Sequence, residues 1–159
     1  MSFDELLKDA GTFRNLFSAA RKRGVKAEEL IQTAMDIDSE LFRTMMYKVV
    51  KMEEGRVELS FPFTKAIARR GSMVHGGMVA FALDNACGLA TMAVNSGVDQ
   101  VTLEFKVNFL EPLRKGPFTA VGRIVRAGGS TAVAEGEVRD ADGRMCAKSL
   151  GTWYMIKKA

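Results

Sequence analysis

MVHGGMVAFALDNACGLATMAVN, Met73 to Asn95, decides how the chain folds. The stretch holds the protein's only histidine, His75, followed by Gly76-Gly77, and a single acidic residue, Asp84, in an otherwise uncharged run. Its length and composition predict a helix from about Gly77 to Asn95. Because that helix is apolar almost all the way round, the rest of the fold is expected to enclose it. A membrane span is the weaker reading: Asp84-Asn85 sits at the middle of the run, and a central Asp costs ~2.5–3.5 kcal/mol on insertion. Asp84 is then a carboxylate among Phe81, Ala82, Leu83, Ala86, Cys87 and Leu89, with nothing basic within a helical turn. Such a group is usually paired, protonated or functional; its bland role would be a hydrogen bond that only fixes packing.

Helical geometry sharpens the functional reading. Gly77 and Asp84, seven residues apart, share a face with Ala80, Phe81, Gly88 and Thr91 near the same stripe, most of it small. Along the axis they are ~10 Å apart, too far to hold one carbonyl together, and His75 points to the side opposite Asp84. A second copy of the helix, antiparallel about a twofold near Ala80 and Phe81, would set Gly77 of one subunit against Asp84 of the other. Each of the two resulting sites would join helix N-terminal amides, able to hold an oxyanion, to a carboxylate able to attack or to activate water.

The 159 residues suit one domain with a sizeable core, and 47% hydrophobic and 26% charged residues are ordinary for a soluble protein. A net charge of +4 suits a phosphate-bearing partner without singling out nucleic acid. Cys87 and Cys146 lack metal or redox spacing, and the start, MSFDELLKDAG, lacks the regions of a secretory signal; the expectation is a cytoplasmic protein with reduced thiols. One histidine and no cysteine pair argue against a zinc site, and no cofactor is expected.

Residues 3 to 22 carry one helical stripe (Phe3, Leu6, Leu7, Ala10, Phe13, Phe17, Ala20) closed by Gly24, and a second pattern runs from Leu30 to Phe42. Over residues 1 to 44, seven Lys or Arg against eight Asp or Glu leave a balance of −1, which argues against a DNA-binding head. From Met46 the period becomes two: a strand through Tyr47 and Val49, a turn at Glu53-Glu54-Gly55, and a returning strand through Val57, Leu59, Phe61 and Phe63. A basic loop, Thr64 to Ser72, leads to the helix. After it come Val101, Leu103, Phe105, Val107 and Phe109, alternating with Thr102, Glu104, Lys106 and Asn108; then Phe118 to Ala127, Thr131 to Arg139 and Met145 to Ile156. Short connections predict that these four strands are antiparallel neighbours. The layout is α+β: a sheet of about six antiparallel strands wrapped around one long central helix, with an N-terminal helical extension over residues 1–40 and the main domain over 41–159.

VHGGMVAFALDNACG, with the acid nine places after the histidine, then VTLEFKVNFLEPLRKG and the RAGGSTA turn, resemble the hotdog fold and, within it, the PaaI-like acyl-CoA thioesterases, over roughly Leu41 to Ile156. The resemblance implies hydrolysis of acyl-CoA by a homodimer or dimer of dimers. It assigns the nucleophile or general base to Asp84, the oxyanion N–H to Gly77, help in placing the thioester to His75, and orientation of the water to Thr102, whose strand parity would otherwise make it a solvated residue. Contacts to coenzyme A are implied at Arg69, at Asn108, Phe109 and Arg114, and at Arg126, Gly128, Gly129, Ser130 and Thr131. Arg69 departs from the family, whose members often carry Asn six places before the histidine. A hydratase would normally pair its His with an acid, which His75 does not do here. The alternative from another class is a non-catalytic acyl-CoA sensor or carrier, which would not need Asp84. Acyl length, and what the N-terminal helices do, are open at this level.

Overall fold

The computed structural model describes residues 3–158. Four helices lead the chain: α1 (Phe3–Ala10), α2 (Phe13–Lys22), α3 (Ala27–Asp38) and α4 (Glu40–Thr44). The single helix expected over residues 3 to 22 is two. Gly11 takes a left-handed φ of 75° that ends α1, and the Thr12 side chain accepts from the Asn15 N–H at 3.2 Å, starting α2.

A hairpin of β1 (Lys48–Glu53) and β2 (Arg56–Phe61) follows, then two short paired strands, β3 (Ala68–Arg69) and β4 (Met73–Val74), and the long helix α5 (Gly76–Val94). β5 (Asp99–Phe109), β6 (Phe118–Ala127), β7 (Thr131–Arg139) and β8 (Met145–Ile156) complete the chain. All six long strands form one antiparallel sheet in the order β1-β2-β6-β7-β8-β5. This is the hotdog architecture. One expectation fails: β5 and β6 are consecutive but not neighbours. β6 pairs with β2 and β5 with β8, so the chain after β5 crosses from the edge of the sheet to its middle.

α5 lies in the concave face because two strands there have no side chain to block it. Gly122 of β6 and Gly136 of β7 are register partners. A Cβ on Gly122 would lie 2.2 Å from the Ala86 carbonyl oxygen, and one on Gly136 2.9 Å from the Cys87 sulfur. Ala82, Leu83, Ala86, Cys87 and Ala90 are fully buried on that side. The helix is long and apolar enough to cross a bilayer by length and composition alone, but the sheet takes much of its surface. Enclosure is incomplete: Gly77 is exposed, and Ala80, Phe81, Asp84, Asn85 and Gly88 remain half-buried along one stripe. Thr91, placed near that stripe by sequence, is instead fully buried on the core side.

The N-terminal helices share this core through Leu16, Phe17 and Ile31. Backbone N–H groups at the start of α2, on Phe13 and Arg14, donate to the carbonyls of Gly97 and Asn95 just past α5. α3 covers the outer edge of β1: Gln32 accepts from the Val49 N–H at 2.8 Å and donates to the Tyr47 carbonyl at 3.0 Å, and Glu28 accepts from the Met52 N–H at 2.9 Å. The opposite edge of the sheet, β5, has no such cover among the described residues.

Candidate active site

β5 changes phase halfway along. Thr102 is paired with Trp153 but Glu104 with Thr152, so Leu103 is an extra residue in the strand. Before the bulge Gln100 and Thr102 face the helix; after it Phe105 and Val107 do. Val101 and Leu103, expected by alternation to share a face with Phe105, turn outward and are about half exposed. The same bulge rescues Thr102 from the solvated parity of Glu104. Its Oγ1 donates to Asp84 Oδ1 at 3.1 Å, whereas Glu104 accepts from the Thr152 hydroxyl at 2.9 Å on the other face.

Asp84 is half-buried and has no ion pair among the described residues. Loss of water around its carboxylate pushes its pKa above the ordinary value, and the Thr102 hydrogen bond to the charged form pulls partly the other way. Desolvation outweighs that single bond. The cavity at this carboxylate, about 190 Å³, is lined by Asn85, Gly88 and Met92 of α5, Gln100 and Thr102 of β5, Trp153 of β8 and Met35 of α3. Asn85 donates to the Phe81 carbonyl at 2.8 Å and Gln100 to the Gly88 carbonyl at 2.6 Å, so both amides hold backbone in place. Cys87, one turn from Asp84, is no competing nucleophile: burial pushes its thiol up to about 12.

At the other end of α5, His75 is the helix N-cap. Its Nδ1 accepts from the Gly77 N–H at 3.0 Å, and its carbonyl accepts from Met78 and Val79. The amides at the helix start are therefore not all free, as the sequence reading assumed: the Gly77 N–H is engaged by the imidazole. Phe109 reaches this end, with its ring 3.6 Å from where a Cβ on Gly76 would sit. Arg114 donates to the Gly71 and Ser72 carbonyls, and the Val74 N–H to the Leu113 carbonyl at 2.9 Å, tying the segment after β5 to the loop before His75. Arg69, on β3 opposite Met73, is exposed nearby with its guanidinium 3.9 Å from the Met73 sulfur. Asn108 is exposed at the end of β5.

The chosen residues thus fall into two groups within one chain. His75, Gly77, Arg69, Asn108, Phe109 and Arg114 gather at the helix N-terminus. Asp84 and Thr102 form the second group, beside the β6–β7 turn: Thr131 is paired with Tyr154, itself paired with Val101, and the turn is closed by bonds from the Gly128 N–H to Thr131 and from the Met155 N–H to Ser130. Gly129 and Arg126 are exposed on that turn. Thr102 and Phe109 lie about 23 Å apart along β5 at ~3.3 Å per residue. Sequence reasoning missed Gln100, which shares the face of Thr102 two residues away, and it missed Met35, Met92 and Trp153. Parity could have signalled Gln100. Nothing in the pattern of α3 marks Met35.

Residues 71–147 match the profile of the thioesterase superfamily. The chain is 42% identical over 133 residues to SSO2140 of Saccharolobus solfataricus, a protein named for a proposed esterase activity, with 84% of this chain and 93% of that one covered. It is 32% identical over 99 residues to the medium/long-chain acyl-CoA thioesterase YigI of Salmonella typhimurium, covering 54% and 63%. Among solved structures, a thioesterase family protein from Silicibacter pomeroyi superimposes with a TM-score of 0.73 at 28% identity, over 80% of this chain and 96% of that one.

Proposed function

We propose that this chain, which belongs to the thioesterase superfamily, hydrolyses acyl-CoA thioesters to the free acid and coenzyme A as a homodimer, without a metal or redox cofactor. The observation that carries the reading is the Thr102–Asp84 hydrogen bond beside a cavity on the open stripe of α5. Thr102 spends its proton on Asp84 Oδ1, which leaves its oxygen lone pairs to accept from a water that Asp84 can also hold. That pair makes the carboxylate a general base. Asp84 takes a proton from the water as its oxygen attacks the thioester carbonyl, and the tetrahedral intermediate then expels the CoA thiolate.

The developing oxyanion needs a donor that one chain does not bring near Asp84, since Gly77 is ~10 Å along the axis. A twofold partner with its α5 antiparallel supplies Gly77, and with it His75, Phe109 and Arg114 opposite Asp84, Thr102 and the 126–131 turn. The site is then completed between subunits. Support for such pairing is the open edge of β5, eleven residues long, with exposed Val101 and Leu103: an uncovered edge of that length is a template for association. His75 must release the Gly77 N–H when a thioester oxygen arrives, so until then the imidazole keeps the donor aimed and satisfied. Arg69, Arg114, Arg126 and the turn amides of Gly128 to Thr131 would meet the CoA phosphates at the mouth.

The test is release of CoA from a panel of short, medium, long and aryl acyl-CoAs by the native protein and by Asp84→Asn. Turnover lost in the variant by about 10²–10⁴-fold, with oligomer and fold unchanged, supports the reading. Absence of turnover with tight acyl-CoA binding that survives Asp84→Asn would overturn it in favour of a non-catalytic binding protein.

A further inference from the structure

The N-terminal helices have no part in the chemistry above, yet one of them reaches it. α3 is pinned along its length by Glu28 and Gln32, whose side chains complete the outer edge of β1, while Ile31 and Ala34 sit in the core. One turn beyond Gln32, Met35 emerges half-buried into the cavity that also contains Asp84 and Thr102. The cavity is therefore a cleft bounded by three walls of different origin: Asp84, Gly88 and Met92 on α5, Thr102 and Trp153 on the sheet, and Met35 on the extension. The reacting carboxylate and its hydroxyl partner occupy one side. The two thioethers, Met35 and Met92, line it from α3 and from two turns further along α5. Gly88, with no side chain, lies between Asp84 and Met92, with Trp153 Nε1 and Gln100 Nε2 at 3.6 and 3.7 Å from where its Cβ would be.

We infer that Met35 of α3 is a specificity-determining residue: it is the end wall of the acyl pocket and sets how long an acyl chain the site accepts. The inference rests on the acyl-CoA reading of the site. An acyl carbonyl placed at Asp84 can send its chain along the floor left by Gly88 toward Met35 and Met92. A chain that stops short leaves apolar surface uncovered, and one that is longer must displace Met35. Because the side chains of Glu28 and Gln32 tie α3 to the backbone along the β1 edge, the helix is held in place, and the flexible methionine side chain is what gives. The extension thereby acquires a function separable from stability: it measures the substrate's tail while the sheet and α5 act on its head.

The experiment is kcat/KM across straight-chain acyl-CoAs from acetyl to palmitoyl for the native protein, Met35→Ala, Met35→Trp and Met35→Leu, with dissociation constants for the corresponding non-hydrolysable acyl-CoA thioethers. Removing the wall in Met35→Ala should move the optimum to longer chains by about two carbons, with the ratio of long-chain to short-chain kcat/KM rising about tenfold or more, the scale of a methylene or two in an apolar pocket. Met35→Trp should move it to shorter chains, and Met35→Leu should keep the native profile. The thioether affinities should shift in the same directions. A profile unmoved by both Ala and Trp, or scaled by one factor at every length, overturns the inference while leaving hydrolysis intact. Length-dependent thioether binding that shifts with Met35 in a protein that turns over none of the thioesters retains the wall and overturns the hydrolase reading. Binding of no thioether at all overturns both.

Discussion

Thr102 and Asp84, eighteen residues apart on β5 and α5, are joined by a 3.1 Å hydrogen bond that exists only because Leu103 bulges out of the strand. The bond favours the charged form of a carboxylate that burial disfavours. Replacing Thr102 with the isosteric Val removes the favourable part and keeps the unfavourable one. The acid limb of kcat/KM, which reports Asp84 in the free enzyme, should lie above the ordinary carboxylate value of ~3.9 in the native protein and higher still in Thr102→Val. A pH–rate profile of both settles it; coincident limbs would disconnect Thr102 from the base.

The same raised pKa makes Asp84 a burden on the fold at neutral pH. Its folded pKa exceeds its unfolded one, so its contribution to stability is intact below the unfolded value of ~3.9 and is lost as pH rises through the folded value. Asp84→Asn should therefore melt above the native protein at pH 7, by ~2–4 °C per kcal/mol recovered, and the difference should close on acidification below about pH 4. Thermal unfolding at several pH values reads both.

If Asp84 acts as a base rather than a nucleophile, the oxygen added to the acyl group comes from solvent in the first turnover. Single-turnover hydrolysis in ¹⁸O-labelled water with enzyme in excess should put the label in the acid product and none in Asp84, as measured by mass spectrometry of both. Unlabelled acid in that turnover would point to an anhydride on Asp84 instead.

His75 caps α5 through its ring nitrogen. Its removal in His75→Ala should cost about 0.5–2 kcal/mol of stability, and His75→Asn, a good N-cap, should restore most of it. Denaturant titration measures this. If capping were the whole role of His75, His75→Asn would also restore kcat; we expect stability to return and activity to remain low.

Gly122 is where the sheet touches the helix backbone. Gly122→Ala forces a methyl group to within 2.2 Å of the Ala86 carbonyl oxygen, a backbone atom that cannot step aside without lifting α5. A loss of about 3 kcal/mol or more, at the top of the range for overpacked cores, is expected, read as a fall in the denaturant midpoint or as insoluble protein.

How much of this was legible in the sequence follows from which interactions are periodic. The β1–β2 hairpin and the four later strands were readable because burying one face leaves a period of 2 in the residues, and α5 because a long run apolar on every side has to be enclosed. Asp84 stood out because a lone acid in an apolar run carries the cost of burying a charge. The break at Gly11 was missed because the apolar stripe runs on across it, and the outward turn of Val101 and Leu103 was missed because a bulge resets the phase without leaving a mark in hydrophobicity. Parity alone left Thr102 undecided; the bulge decided it.

By itself, then, the sequence determined the six long strands, the one helix that the sheet must wrap, and the carboxylate in that helix, since these follow from local periodicity, from the apolar length of the helix and from the cost of burying charge. Strand order was decided only by the tertiary structure: β5 beside β8 and β6 beside β2, with Gly122 and Gly136 forming the bed for α5. Tertiary structure alone also brought Met35, forty-nine residues before Asp84, into the same cavity. Contacts of that kind depend on how whole elements pack against one another in three dimensions, and no repeat along the chain records them.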